Sequence, residues 1–177
     1  TGATDVTGFG LGGHALEVAR ASDVSIRIFA DSLPVLPRVS DYAGDGLVPA
    51  GSIRNRKFAA CSTIWDRQHE DDDLLNIIFD AQTSGGLLLA VPPEKLGDVR
   101  AFLREGGDLD CEIGEVIGHG ESRLYIVSEI KNHAAAKQIV RSSTYQMEAD
   151  RIFAQSWVSG DAGSVQVMYP SSVNRFL

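Results

Sequence analysis

Positive charge, cysteine and long apolar runs are all scarce in this chain. Its 177 residues carry 16 Lys and Arg against 24 Asp and Glu, a formal net charge of −8. A surface that neutralises nucleic-acid phosphates needs clustered Lys and Arg. The one dense basic cluster, Arg54, Arg56 and Lys57, is too small for that, so nucleic acid is not an expected partner. The two cysteines, Cys61 and Cys111, lie far apart without the paired spacing of a metal knuckle. They read as reduced thiols of a cytosolic protein, with a disulfide as the alternative. No apolar run approaches the ~20 residues that span a bilayer, and no signal-peptide pattern occurs. The cytoplasm is the expected location, with no membrane partner. What is present is ordinary for one globular domain: 44% apolar residues, and 18 glycines that point to many tight loops.

The most informative stretch is Ala3-Thr4-Asp5-Val6-Thr7-Gly8-Phe9-Gly10, running into Leu11-Gly12-Gly13-His14-Ala15-Leu16-Glu17-Val18-Ala19. An acid, two hydroxyls and a cluster of glycines lead into a segment with apolar residues at 11, 15, 18 and 19, a helical period. Glycines let backbone approach a ligand, and a helix start offers unpaired N–H groups and partial positive charge. The pattern suits a loop that meets a polyphosphate and its metal. Because the motif sits so near the first residue and no initiator Met precedes it, an upstream half is expected to be missing.

Further along, Val24–Phe29 alternates like a strand and Pro37–Ala43 reads as a short helix stopped by glycines. Residues 47–72 read as mostly irregular. The acidic run 70–73 fits a solvated helix start over Leu74–Phe79 better than a metal site. Asp80-Ala81-Gln82-Thr83-Ser84-Gly85-Gly86 forms a second glycine-rich turn before Leu87–Val91, an apolar run suited to a strand covered on both faces. A helix from Pro93 to Glu105 would bury Leu96, Val99, Phe102 and Leu103. Strands at Glu112–Ile117 and Arg123–Val127 would follow, joined by a turn over residues 118–122. The expected fold is α/β (α+β), a mixed sheet covered by helices, in a domain over residues 1–130. Residues 131–177 form an extension of unassigned role, with possible helices at Asn132–Arg141 and Tyr145–Trp157 and a strand at 165–169 that pairs with an edge.

Taken together, several stretches resemble one family. The motif at residues 3–14 is similar to the signature that opens the C-terminal domain of the selenophosphate synthetases (selenide, water dikinases), within the aminoimidazole ribonucleotide synthetase superfamily. Gly46-Leu47-Val48-Pro49-Ala50-Gly51, Arg54-Asn55-Arg56, Gln82-Thr83-Ser84-Gly85-Gly86-Leu87-Leu88 and Ile113-Gly114-Glu115-Val116 follow in the same order. The resemblance covers residues 1–128 and implies an aminoimidazole-ribonucleotide-synthetase C-terminal-domain-like fold. It also implies a homodimeric, Mg²⁺- and ATP-dependent enzyme that makes selenophosphate from selenide, with AMP and phosphate as the other products. The family's nucleophilic Cys or selenocysteine and its essential Lys belong to an N-terminal domain outside this chain. No catalytic residue is therefore expected here, and the chain alone is expected to be inactive. Two positions depart from the family: Gly12, where a bulky residue is usual, and Ala81, where Pro is usual.

By position, Asp5 corresponds to the family's metal-ligating Asp from this domain, and hard Mg²⁺ takes one or two protein carboxylates plus phosphate and water oxygens. Thr4, Thr7, Gly8 and Gly10 are the candidate ATP-phosphate contacts. For both threonines the alternative is bonding to loop backbone. His14 reads as a buried structural histidine rather than a phosphate contact. Asp80, Gln82, Thr83 and Ser84 read as a hydrogen-bonded turn rather than a second catalytic loop. Asn55 and Arg56 either brace a surface or, for Arg56, reach a phosphate, and the sequence leaves both open. Two competing functions are a related synthetase or kinase, of the aminoimidazole ribonucleotide synthetase or thiamine monophosphate kinase type, and a non-catalytic scaffold domain.

Overall fold

The computed structural model describes residues 2–65, 72–83, 85–127 and 165–169. Seven strands among them form one mixed sheet: β1 (Gly2–Asp5), β2 (Ser25–Phe29), β3 (Thr63–Trp65), β4 (Leu87–Val91), β5 (Cys111–Ile117), β6 (Leu124–Val127) and β7 (Val165–Tyr169). Their order is β1-β4-β7-β5-β2-β6-β3. The β2–β6 and β6–β3 pairs are parallel, and the rest are antiparallel. Five helices accompany the described sheet: α1 (Gly10–Ala21), α2 (Val39–Gly44), α3 (Ala50–Ala59), α4 (Asp72–Ile78) and α5 (Pro93–Gly106). The α/β class with a mixed sheet is as the sequence indicates. The two expected helices at Asn132–Arg141 and Tyr145–Trp157 lie outside the described residues.

Alternate strand side chains point to opposite faces, and that alternation divides the core in two. Leu88, Ile26, Ile28, Leu124 and Ile126 join Leu16, Ala19, Ala59 and Phe79 in the larger cluster, which puts α1, α3 and α4 on one face. Leu89 and Val91 point the other way and meet Leu96, Val99 and Leu103 of α5. β4 is therefore apolar throughout because both its faces are covered. Phe102 does not join this cluster and is 75% exposed. Leu96, Val99 and Leu103 share a stripe at helical spacing, and one residue's step of about 100° takes Phe102 off it. α5 starts with Pro93 in its first turn and stops at Gly107 in the left-handed conformation (φ +76°).

Five local expectations change. β1 and α3 occupy stretches that read as loop, and β3 follows α3 where no strand was expected. α3 lacks an apolar stripe because Ser52 and Asn55 face inward and hydrogen-bond there. β5 and β6 are not a hairpin: β2 runs between them, with Ile26 opposite both Val116 and Leu124. The buried Ser25 hydroxyl holds the connecting loop over the start of β2, donating to Ser122 O (2.6 Å) and accepting from Gly120 N–H (3.0 Å). β7 does not take an edge but pairs with both β4 and β5.

Ion pairs tie α5 to β5. Arg100 Nε (3.0 Å) and Arg104 Nη2 (2.6 Å) both donate to Asp110 Oδ2. These guanidinium hydrogen bonds hold the Asp110 carboxyl below the usual carboxylate range. A folded-state pKa below the unfolded one gives stability that is complete above the unfolded value and lost as pH falls through the folded one. Asp110→Asn should therefore flatten the acid side of a urea-midpoint profile below about pH 4 and leave its slope near neutrality unchanged. An unaltered acid slope would contradict this role for Asp110.

Candidate functional site

The site begins where β1 ends. Asp5 is the last residue of the strand, opposite Leu87 of β4, and its side chain is exposed. Val6 turns into the core, and its N–H donates to Gly86 O (3.0 Å). The chain then passes through Thr7, Gly8 and Phe9, all exposed, before α1 starts at Gly10. The loop is stitched to the 80–86 turn by its backbone, since Thr7 O accepts N–H bonds from Gly10 (3.0 Å) and Gln82 (2.9 Å).

α3 clamps both loops from one side. Asn55 Nδ2 donates to Gly8 O (2.9 Å) and Phe79 O (3.1 Å). The buried Ser52 hydroxyl donates to the Asp80 carboxylate. Gln82 Nε2 closes back on Asp80 O (3.2 Å), and Arg56 Nη1 donates to Asn76 Oδ1 (3.2 Å). Asp80, Gln82 and Asn55 thus have structural partners that account for them. The turn reading suits Asp80 and Gln82, and Asn55 is a brace between two loops. Thr83 is exposed, and Ser84 lies outside the described residues.

The two candidate loop glycines differ in kind. Gly10 is buried at φ +71°, and a Cβ there would lie 2.6 Å from Asp80 O and from Phe79 C. Its lack of a side chain lets the two loops approach. Gly8 has open space where its Cβ would be, with nothing among the described residues within 4 Å. None of those residues demands glycine at position 8. Gly12 also has a packing reason: a Cβ would come within 2.5 Å of Phe79 Cε1.

Thr4 donates its hydroxyl to Asp5 O (3.1 Å). The Thr7 hydroxyl lies 3.1 Å from His14 Nε2, and His14 Nδ1 lies 3.2 Å from Glu17 Oε2. His14 is only 7% exposed, as a structural histidine should be, with the Phe9 ring 5.6 Å away. Glu17 was not singled out from sequence, although its i+3 spacing from His14 was the available signal. α1 has no side-chain cap hydrogen bond and no acid in its own first turn.

Among the described residues no group of three or more His, Cys, Asp or Glu side chains is placed to hold a metal ion. Asp5 could supply one carboxylate, which fits Mg²⁺ if phosphate, water and other oxygens complete the shell. Both cysteines are free, and burial pushes the Cys111 thiol up, away from the reactive thiolate. No described helix is long and apolar enough to cross a membrane.

The family model for AIR synthase related protein, C-terminal domain, matches residues 1–127. The chain is 50% identical over 127 residues to the selenide, water dikinase of Nitratidesulfovibrio vulgaris (strain DP4), a match covering 70% of this chain and 36% of that protein. It is 40% identical over 124 residues to the selenide, water dikinase of Trichlorobacter lovleyi, covering 70% and 35%. With selenide, water dikinase 2 of Peptoclostridium acidaminophilum it shares 34% identity over 125 residues, again 70% and 35%. The match thus spans about a third of the length of these curated relatives.

Proposed function

This chain belongs to the family of AIR synthase related protein C-terminal domains, and we propose that it serves as that domain of a selenide, water dikinase, an enzyme that phosphorylates selenide with ATP. Residues 1–130 form the domain in this reading, and the nucleophile and most metal ligands come from an N-terminal domain. Asp5 ligates Mg²⁺, and the Thr7–Gly10 loop and Thr4 line the ATP phosphates. The protein acts as a homodimer in the cytoplasm, with ATP and selenide as its small-molecule partners.

The observation that carries this reading is the contrast between occupied and free groups around the loop. Ser52, Asn55, Asp80 and Gln82 are committed to holding it in shape. The Asp5 carboxylate and the open side of Gly8 face outward. Phosphoryl transfer needs little covalent help from protein; it needs rigid positioning and neutralised charge. A braced glycine loop supplies the positioning, and a strand-end carboxylate holds the cation that neutralises the charge. The shared name of the relatives compared above favours selenide as the acceptor.

Gly8→Ala tests the loop. Because its Cβ would meet nothing, the urea midpoint should not move. In the full-length protein the KM for ATP should rise about tenfold, because the methyl group intrudes where a phosphate approaches. Unchanged kinetics would remove the loop from the nucleotide site.

A further inference from the structure

Thr7, His14 and Glu17 form a chain of polar contacts: the Thr7 hydroxyl shares a hydrogen bond with His14 Nε2, and the Glu17 carboxylate faces Nδ1. A carboxylate accepts and cannot donate, so Glu17 Oε2 lying 3.2 Å from His14 Nδ1 favours the tautomer with its proton on Nδ1. In the neutral ring Nε2 is then a bare acceptor. In that tautomer the Thr7 hydroxyl, 3.1 Å from Nε2, donates its single proton there. His14 is 7% exposed, with the Phe9 ring packed 5.6 Å away, so burial favours a fixed ring that keeps its partners. Thr7 is exposed at the other end of the chain, and its oxygen has only lone pairs left to offer outward.

This bears on what Thr7 can recognise. A phosphate oxygen is an acceptor and needs a donor, and the Thr7 proton is already committed. A cation, or a water molecule held by one, needs the lone pairs that remain. We propose that His14 is a positioning residue that fixes Thr7 as an outward-facing acceptor, so that Thr7 serves the hydrated cation beside Asp5 rather than a phosphate oxygen. The proposal rests on the site reading above and changes the role of one residue within it. The phosphates are left to backbone N–H groups and to Gly8.

Two measurements test it. The first needs no ligand: long-range ¹H–¹⁵N correlation on the histidine-labelled 177-residue chain at neutral pH reports which ring nitrogen carries the proton. His14 is assigned by the signal lost in His14→Gln or, should that variant not fold, by the signal that moves in Thr7→Val. A proton on Nδ1 with a bare Nε2 is expected. A proton on Nε2, in the neutral or the charged ring, overturns the proposal. The second uses the full-length enzyme. Thr7→Val should raise the Mg²⁺ concentration for half-maximal activity about tenfold while changing the KM for ATP at saturating Mg²⁺ less than about twofold, and Thr7→Ser should restore both. A raised KM for ATP with unaltered Mg²⁺ demand overturns the cation role. Failure of the site reading itself looks different. Asp5→Asn would then leave Mg²⁺ demand unchanged, which overturns the cation role of Thr7 along with the site but leaves the His14 proton on Nδ1.

Discussion

Asp5→Asn in the full-length protein is expected to lower turnover by at least about 100-fold without loosening the fold, as fits the loss of a ligand to the Mg²⁺ that neutralises transition-state charge. The side chain is exposed at the end of an edge strand, and its main-chain pairing with Leu87 does not depend on the carboxylate. Surface substitutions of that kind usually shift stability by less than about 0.5 kcal/mol. Asn keeps the size and one acceptor oxygen but removes the negative charge, which is what a hard divalent cation requires. Steady-state ATP consumption at several Mg²⁺ concentrations, read beside a urea melt, checks both halves. Wild-type turnover in a folded Asp5→Asn protein would show that the carboxylate does not hold the cation. Loss of turnover with a collapsed urea midpoint would make Asp5 a structural residue.

Gly10→Ala is expected to have the largest effect on stability, about 2–4 kcal/mol. Two costs combine. A non-glycine residue at φ +71° sits in the left-handed region at a cost of about 1 kcal/mol. Its Cβ, 2.6 Å from Asp80 O and Phe79 C, forces apart two backbone segments at a further cost of about 1–3 kcal/mol. The obstruction is main chain rather than the end of a flexible side chain, and Asn55 holds the same segments from α3 through Gly8 O and Phe79 O. Against a typical total of about 5–15 kcal/mol, the variant should unfold at a much lower urea concentration. A midpoint within about 0.5 kcal/mol of wild type would mean that the two loops do not meet at Gly10. Read with the neutral folding effect expected for Gly8→Ala, this pair separates the glycine that shapes the loop from the one that leaves room beside it.

Local patterns were most legible where one physical cause acts alone. α5 carries a Pro at its start, a Gly at its stop and an apolar stripe between, and it forms as read except that Phe102 leaves the stripe for solvent. β4 reads as buried on both faces and is. α3 was illegible because its inward positions are polar: Ser52 and Asn55 make sense only once the Gly8 and Asp80 loops stand opposite them. β1 was illegible because Thr4 and Asp5 belong as much to a turn as to a strand, and its pairing with residues 87–90 is non-local. The same distance effect hid the insertion of β2 between β5 and β6, which adjacent spacing made look like a hairpin. At the site, the Asp and glycine motif was visible in the sequence as a unit. Which glycine shapes the fold, what Asn55 braces and that Thr7 meets His14 were not, because each depends on a neighbour distant in the chain or across the loop.

The most direct test of the account is a crystal structure of the full-length protein with Mg²⁺ and a non-hydrolysable ATP analogue. The account predicts an Asp5 carboxylate oxygen about 2.1 Å from a Mg²⁺ ion that also touches a phosphate oxygen. An Asp5 side chain turned to solvent while every Mg²⁺ is coordinated by other groups would contradict it.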